Sequence, residues 1–135
     1  MDFLNVLEEL TDAAAHFFNN SSDVFGQAVT RMADCLFARG KILVFGNGGS
    51  ASQAQHFAAE LVNKYLEIRP PLPAVSLATD TSALTSIAND SSFDLVFSRQ
   101  IEALGSKGDT ALGFPQAGNL RMSWPPLRRP EKKGW

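Results

Sequence analysis

The sequence predicts an α/β domain in which a parallel β-sheet is covered by helices on both faces. Short apolar runs rich in β-branched and aromatic residues alternate along the chain with segments of helical period. A glycine-rich turn joins the first of these runs, KILVFG, directly to an alanine-rich segment. Strands that alternate with helices are connected by right-handed crossovers, and such connections make neighbouring strands parallel.

Two amphipathic helices are predicted at the start of the chain. Phe3 to Phe18 and Val24 to Arg39 each place apolar residues three and four positions apart. We interpret the polar stretch from Asn19 to Asp23 as the break between the two helices. Either Ser22 or Asp23 is then the N-cap of the second helix.

The remaining elements are predicted in alternating order. Gly40 ends the second helix, and KILVFG forms the first strand. A helix follows from about Ser50 to Tyr65, and the connection RPPLP leads to a second strand, AVSLA. A helical turn from Ser82 to Ala88, a helix from Ser92 to Leu104 and the turn GSKGD precede a third strand, TALGF.

The composition limits the classes of function. The chain of 135 residues is 44% hydrophobic, which is enough for one compact domain with a core. No run has the length of a membrane span, and the N-terminus lacks the pattern of a secretion signal, so we expect a cytoplasmic protein without membrane contact. The single Cys35 cannot form an internal disulfide, and its apolar helical surroundings favour a buried, inert thiol.

The turn GNGGS is the first candidate site, because ligands bind at the carboxyl ends of the strands of a parallel sheet. Glycines let the backbone approach an anion closely, and the following helix offers unpaired N–H groups at its N-terminus. Ser50 could cap this helix or give its hydroxyl to a phosphate. A purely structural turn explains the motif about equally well, since it lacks the full dinucleotide fingerprint and the Walker lysine.

His56 and Glu60 are the second candidate site. Residues four apart lie on one helical face, where these two could share a metal ion or a substrate, although an ordinary surface pair has the same spacing. Asn89 and Asp90, in SIAND, come at the end of the helical turn that follows the second strand. They could reach the same carboxyl edge of the sheet as the glycine turn. A helix C-cap followed by an N-cap explains these two residues equally well.

Four segments, GNGGSASQAQHFAAEL, RPPLPAVSLATD, SIAND and FSRQIEALGSKGD, resemble the phosphoheptose isomerases, also called sedoheptulose 7-phosphate isomerases. The resemblance covers Met1 to about Gly113. It implies a three-layer α/β/α sugar-isomerase (SIS) fold with a flavodoxin-like parallel sheet. It also implies a zinc-containing homotetramer that interconverts sedoheptulose 7-phosphate and D-glycero-D-manno-heptose 7-phosphate, for the heptose of bacterial lipopolysaccharide or related glycans.

The resemblance also implies roles for individual residues. His56 is implied as a zinc ligand, and Glu60 as both a zinc ligand and the catalytic base, while Ser50 is implied to contact the phosphate. Aldose–ketose isomerisation moves a proton between adjacent carbons through an enediol, so it needs a carboxylate base and an electrophile that polarises the carbonyl oxygen. The substrate contacts implied by position are Asn47, Gly48, Gly49, Ser50, Glu60, Asn89 and Asp90.

The resemblance ends at Phe114. The family continues with a serine- and threonine-rich phosphate loop, two further strands, and a last helix with a glutamine and a second histidine at the metal. We therefore expect residues 1–114 to be the N-terminal portion of a SIS domain truncated after its third strand, and residues 115–135 to be a non-homologous, disordered tail. The five basic and one acidic side chains of this tail could also indicate nucleic-acid or membrane-surface binding, which we consider the weaker interpretation.

We interpret the tail as a frameshift product. If each codon is read from its third base with the first two bases of the next, permitted codon choices give PTSGKSANVLAAIAAAREKGM, which resembles the family's phosphate loop and following helix. Two letters are forced: Met122 before a TCN serine gives valine, and Trp124 before Pro125 gives alanine. We call the product of the shifted frame after Gly113 the frame-restored protein, and we expect the chain itself to be inactive.

A non-enzymatic role is the alternative hypothesis. Some SIS-fold proteins are adaptors, and one that resembles this chain in AQHFAA associates with the bacterial replication initiator. A phosphosugar-sensing module is a further alternative, which needs the glycine turn but neither His56 nor Glu60. Glu60 favours the isomerase over the adaptor, because the adaptor type lacks this carboxylate and the chemistry needs a base.

Overall fold

The computed structural model describes residues 2–114, so the predictions made for residues 115–135 lie outside the described residues. The chain divides into two units, Met1–Asp34 and Cys35–Trp135. Within the described part, no helix is both long enough and apolar enough to cross a membrane. The elements are α1 (Phe3–Phe37), β1 (Ile42–Gly46), α2 (Gly49–Val62), β2 (Ala74–Ser76), α3 (Thr81–Asp90), a short 3-10 helix (Phe93–Leu95), α4 (Val96–Leu104) and β3 (Thr110–Phe114).

Helix α1 is one continuous helix of 35 residues, so the prediction of two opening helices is wrong. The predicted break, Asn19 to Asp23, contains no proline or glycine. Its asparagine and serine residues cost at most about 0.7 kcal/mol each inside a helix, which is too little to end one between two helical segments. The side-chain Nδ2 atom of Asn20 also donates to the backbone carbonyl oxygen of His16 at 2.8 Å, so this polar side chain makes its hydrogen bond within the helix.

The end of α1 differs from the predicted glycine cap. Arg39, not Gly40, adopts the left-handed conformation, with a φ of 62°. The amide of Gly40 donates to the carbonyl oxygen of Cys35 at 2.8 Å. Glycine is needed at position 40 because a Cβ there would lie 2.7 Å from the carbonyl oxygen of Gly108. Gly40 therefore permits a close approach of two chain segments.

The second unit contains a three-stranded parallel sheet in the order β2-β1-β3, which confirms the predicted sheet. Ile42 of the central strand pairs with Ala74 on one side and with Thr110 on the other. All five residues of β1 are buried, as expected for a strand covered on both faces.

Helices cover the two faces of this sheet. Leu43 and Phe45 of β1 pack in one buried cluster with Leu77 and with Val96 and Phe97 of α4. Because successive side chains of a strand point to opposite faces, the other residues of β1 point to the opposite face. Helix α2, which contacts all three strands and is absent from that cluster, covers the second face. The result is the three-layer α/β/α arrangement that the sequence predicted.

The strand order also locates a ligand site. The chain passes from β1 to β2 on one side and then crosses to β3 on the other side of β1. In flavodoxin-like sheets, ligands bind in the crevice outside the carboxyl ends of the two strands that correspond to β1 and β3. Gly46 and Phe114, the last residues of β1 and β3, are paired at that edge.

Candidate functional site

The turn between β1 and α2 has the geometry of a type II′ turn. The amide of Ser50 donates to the carbonyl oxygen of Asn47 at 3.0 Å, and Gly48 has a φ of 55° and a ψ of −125°. Only glycine adopts this conformation without strain. The turn therefore places the N-terminus of α2 at the carboxyl end of β1, where unpaired N–H groups could meet an anion.

Ser50 does not cap α2. The N-cap residue is Gly48, which makes no side-chain hydrogen bond to the helix. Ser50 is 7% exposed and lies against Gly46, where a Cβ would be 2.8 Å from the Ser50 Cβ. The cap role predicted for Ser50 is therefore wrong, and its contact with a phosphate stays a prediction.

His56 and Glu60 lie side by side on α2. The Nε2 atom of His56 is 3.6 Å from the Oε1 atom of Glu60, which is beyond hydrogen-bond distance. The His56 side chain is 77% exposed and that of Glu60 is 32% exposed. The Oε2 atom of Glu60 is nevertheless buried, and it has no hydrogen-bond partner in the described chain. A buried carboxylate oxygen without a partner is costly, so it indicates a site for an external group.

A cavity of about 430 Å³ opens beside this pair. Its wall is mainly apolar, and the rings of Phe57 and Phe114 pack edge to face with their centroids 5.8 Å apart. Since Phe114 ends β3, the cavity lies at the predicted edge of the sheet. The lining residues are Gln53, His56, Phe57, Glu60, Leu61, Tyr65, Arg69 and Phe114.

The pair fits part of a zinc site. Two donors of a tetrahedral zinc ion, each about 2.0–2.1 Å from the metal, are about 3.3 Å apart, close to the distance observed here. Imidazole nitrogen and carboxylate oxygen are both normal zinc donors, and the unpartnered Glu60 Oε2 would gain a neighbour. No group of three or more potential ligands occurs among residues 2–114. His56 and Glu60 therefore provide two donors, whereas catalytic zinc sites usually have three from protein.

Asn89 and Asp90 lie in the last turn of α3, and both are exposed. The Nδ2 atom of Asn89 donates to the Oδ1 atom of Asp90 at 2.8 Å. Neither residue lines the cavity beside His56 and Glu60, and the glycine turn does not line it either. The proposed contacts of these residues with a sugar stay predictions.

Sequence reasoning missed several residues of the cavity. Gln53 and Phe57 share the face of α2 that carries His56 and Glu60, so helical spacing could have found them. The predicted helix ended at about Tyr65, whereas α2 ends at Val62, so Tyr65 lies in the connection after α2. Arg69 comes from the same connection, and no periodicity predicts its position. The only signal for Arg69 is its place just beyond a helix C-terminus, where basic side chains often bind free carbonyl groups.

Comparison with known proteins shows the family of this chain. The model of the SIS domain family matches residues 6–122. The chain belongs to the SIS domain family. Two curated phosphoheptose isomerases are similar to it: one from Desulfovibrio desulfuricans is 56% identical over 103 residues, and one from Solidesulfovibrio magneticus is 46% identical over 128 residues.

Solved structures of SIS proteins agree with the fold. The phosphoheptose isomerase GmhA from Neisseria gonorrhoeae superposes with a TM-score of 0.74 at 45% identity, over 82% of this chain and 57% of that one. A phosphoheptose isomerase from Francisella tularensis gives a TM-score of 0.69 at 34% identity, over 84% of this chain and 61% of that one. The match to the Desulfovibrio protein includes 76% of this chain and 49% of that protein. The match to the Solidesulfovibrio protein includes 95% of this chain and 63% of that protein, so the chain spans only part of the length of both relatives.

Proposed function

We propose that this SIS domain carries the base-bearing half of a phosphoheptose isomerase site. The frame-restored protein is then the enzyme that interconverts sedoheptulose 7-phosphate and D-glycero-D-manno-heptose 7-phosphate. The observation that carries the proposal is the Glu60 carboxylate, whose Oε2 atom is buried without a partner beside an apolar cavity. The names of the similar proteins support the same reaction.

Glu60 is the base of the proposed reaction. Its carboxylate removes the proton from the carbon next to the carbonyl group and returns it to the neighbouring carbon, while a hydroxyl proton moves to the former carbonyl oxygen. The apolar wall formed by Phe57, Leu61 and Phe114 limits the access of water to the carbanionic intermediate. General base catalysis of this kind contributes on the order of a hundredfold or more to the rate.

The N-terminus of α2 holds the phosphate in this proposal. The positive φ of Gly48 turns the chain so that the first N–H groups of α2 face the crevice. Ser50 adds a hydroxyl that makes no hydrogen bond to other described residues. Asn47 and Gly49 complete the turn, and Asn89 and Asp90 are the proposed contacts of the sugar.

Zinc is the proposed cofactor, with His56 and Glu60 as two of its ligands. A bound zinc ion supplies an electrophile that polarises the substrate's carbonyl oxygen. The exposed imidazole of His56 can turn one ring nitrogen toward the cavity, and the Glu60 carboxylate offers a second oxygen for the base function. Ligands beyond these two are proposed to come from the frame-restored sequence.

The cellular role follows from the same proposal. The enzyme would act in the cytoplasm on a phosphorylated seven-carbon sugar and supply heptose for lipopolysaccharide or a related glycan. A homotetramer is proposed, because α1 exposes many large apolar side chains, among them Phe3 and Val24.

The direct test is product formation. The frame-restored protein is incubated with sedoheptulose 7-phosphate and zinc, and NMR follows the appearance of the aldose heptose phosphate. We expect turnover in the wild type and in the control Glu102→Gln, whose side chain is exposed on α4. Binding of the sugar phosphate without any product would contradict the proposal and favour a sensing or adaptor protein.

A further inference from the structure

The C-terminal end of α2 is held by an arginine from the connection that follows it. The Nη2 atom of Arg69 donates to the carbonyl oxygen of Glu60 at 2.7 Å, and its Nη1 atom donates to the carbonyl oxygens of Leu61 at 2.9 Å and Pro70 at 3.0 Å. We infer that Arg69 is a positioning residue, which fixes the turn of α2 that aims the Glu60 carboxylate into the cavity. This inference rests on the proposed function of Glu60.

The chemistry of a helix end explains why an arginine suits this position. The last four carbonyl groups of a helix lack partners within the helix, and they carry the negative end of its dipole. A guanidinium group is a planar fork that can bridge two successive carbonyl oxygens, whereas the ammonium group of lysine is a point charge. Arg69 satisfies the carbonyls of Glu60 and Leu61 together and brings a positive charge to the negative end of α2.

The same contacts close the connection into a wall of the cavity. The amide of Leu72 also donates to the carbonyl oxygen of Leu61, at 3.0 Å, so that carbonyl joins both the arginine side chain and the chain leading to β2. Tyr65 lies between Leu61 and Arg69 in the sequence, and it lines the cavity together with Arg69. Arg69 thus fixes both the helix end and the loop that faces Glu60.

Glu60 depends on this backbone contact because its side chain has little else to hold it. The Oε2 atom of Glu60 has no hydrogen-bond partner in the described chain, and Oε1 is 3.6 Å from His56. Glu60 lies two residues before Val62, the last residue of α2, where helices fray most readily. Fraying would move the carboxylate away from His56, and the Arg69 contact opposes it.

Zinc titration of the 135-residue chain tests this inference without an activity assay. Zinc alone is the probe, and binding is measured from the NMR signals of the His56 ring, with the only other histidine, His16, as an internal reference. We expect Arg69→Gln to weaken zinc binding by about tenfold, the loss typical of removing a support of a metal ligand. Arg69→Lys should also weaken zinc binding, because the ammonium group lacks the rigid fork that holds the two carbonyl groups in a fixed geometry.

A double-mutant cycle separates positioning from a general loss of structure. If Arg69 acts through Glu60, then adding Arg69→Gln to the Glu60→Gln variant should change its affinity for zinc by less than about twofold. Equal losses in both backgrounds would show a merely structural role and overturn the inference. The matched control Arg99→Gln removes an exposed arginine of α4 and should change zinc affinity by less than about twofold.

The outcomes distinguish this inference from the proposed function. If Glu60→Gln binds zinc as tightly as the wild type, the metal site itself is wrong. If Glu60→Gln weakens binding and Arg69→Gln does not, only the positioning role is overturned. Hydrogen exchange on the same variants tests the contact independently: Arg69→Gln should speed exchange of the Asn63 amide, which bonds to Ala59 at the end of α2. Unchanged exchange at Asn63 would also overturn the inference.

Discussion

The glycines around the turn after β1 are under different constraints. A Cβ on Gly46 would lie 2.8 Å from Ser50, whereas a Cβ on Gly49 would meet no atom within 4 Å. We expect Gly46→Ala to lower the free energy of unfolding by about 1–3 kcal/mol through overpacking. Urea denaturation measures this loss, and Gly49→Ala is the matched control, with a change below about 1 kcal/mol. Equal losses in the two variants would contradict the described packing of α2 on β1.

Asp109 connects the starts of β1 and β3. Its carboxylate accepts hydrogen bonds from the ammonium and backbone amide of Lys41 and from the amide of Ser106. Burial alone would raise the pKa of the Asp109 carboxyl, but these hydrogen bonds and the Lys41 charge outweigh burial and lower the pKa below 3.8. A carboxyl whose pKa is lowered by folding contributes stability above its unfolded pKa, and that stability is lost as the pH falls through the folded value.

This linkage predicts a pH-dependent effect of Asp109→Asn. At pH 7 the substitution should lower the free energy of unfolding by about 2 kcal/mol, the range for hydrogen bonds to a charged group. The difference between wild type and variant should shrink as the pH falls below 3.8. Urea unfolding at several pH values measures it, with Asp34→Asn, an exposed carboxylate of α1, as the control. A difference that stays constant with pH would contradict the lowered pKa.

Residue spacing predicted one part of the site and not the rest. His56 and Glu60 were found because four residues along a helix always return to the same face. Arg69 reaches the same cavity from the connection after α2, and Phe114 reaches it from the end of β3. Both positions depend on how the elements pack, which residue spacing does not predict. The sequence did not decide whether Ser50 caps α2 or contacts a ligand. The answer depends on the conformation of the turn, in which Gly48 and not Ser50 is the N-cap residue.

Helix α1 exposes a long apolar stripe. Five large apolar side chains of this helix fall on a 3.5-residue period, and each is at least 47% exposed. Such a period is typical of helices that pack along each other, so we expect α1 to bind α1 of other subunits. The five residues are Phe3, Leu7, Leu10, Phe17 and Val24.

The prediction for α1 is that charge on this stripe weakens self-association. Combining Phe17→Glu with Val24→Glu should lower the mass measured by light scattering at micromolar concentration, because the charges would be buried between helices. Asn19→Glu adds a charge on the polar side of the same helix and should leave the mass unchanged. A wild-type chain that is already a stable monomer would contradict the expected packing.

The strands were easier to predict from sequence than the long helix. β1 and β3 were predicted to within one residue, because a short apolar run bounded by glycine and polar turns fits few other structures. The extent of α1 was missed because polar residues weaken a helix only slightly, and continuity depends on the helical segments on both sides. The α3 segment, predicted as one turn, is a helix of 10 residues whose N-cap, Asp80, accepts a hydrogen bond from Ala83.

The whole chain should be a much weaker enzyme than the frame-restored protein. Its two described metal donors are fewer than the three usual in catalytic zinc sites, and the complete sequence contains only two histidines. We expect isomerase activity at least about a hundredfold below that of the frame-restored protein, since a loss of the electrophile or of an acid–base partner has effects of that size. Both proteins are assayed in parallel with zinc. Comparable activities would contradict the frameshift interpretation and place the complete site within these 135 residues.

The most direct test of the account is proton transfer by Glu60. The frame-restored protein and its Glu60→Gln variant are incubated in H₂O with zinc and with sedoheptulose 7-phosphate that carries deuterium on C1, and NMR measures the rate at which deuterium leaves C1, either to the neighbouring carbon or to solvent. We expect rapid loss of this deuterium in the wild type, a rate at least about a hundredfold lower in the variant, and unchanged circular dichroism. Loss at the wild-type rate in Glu60→Gln would contradict the assignment of Glu60 as the base.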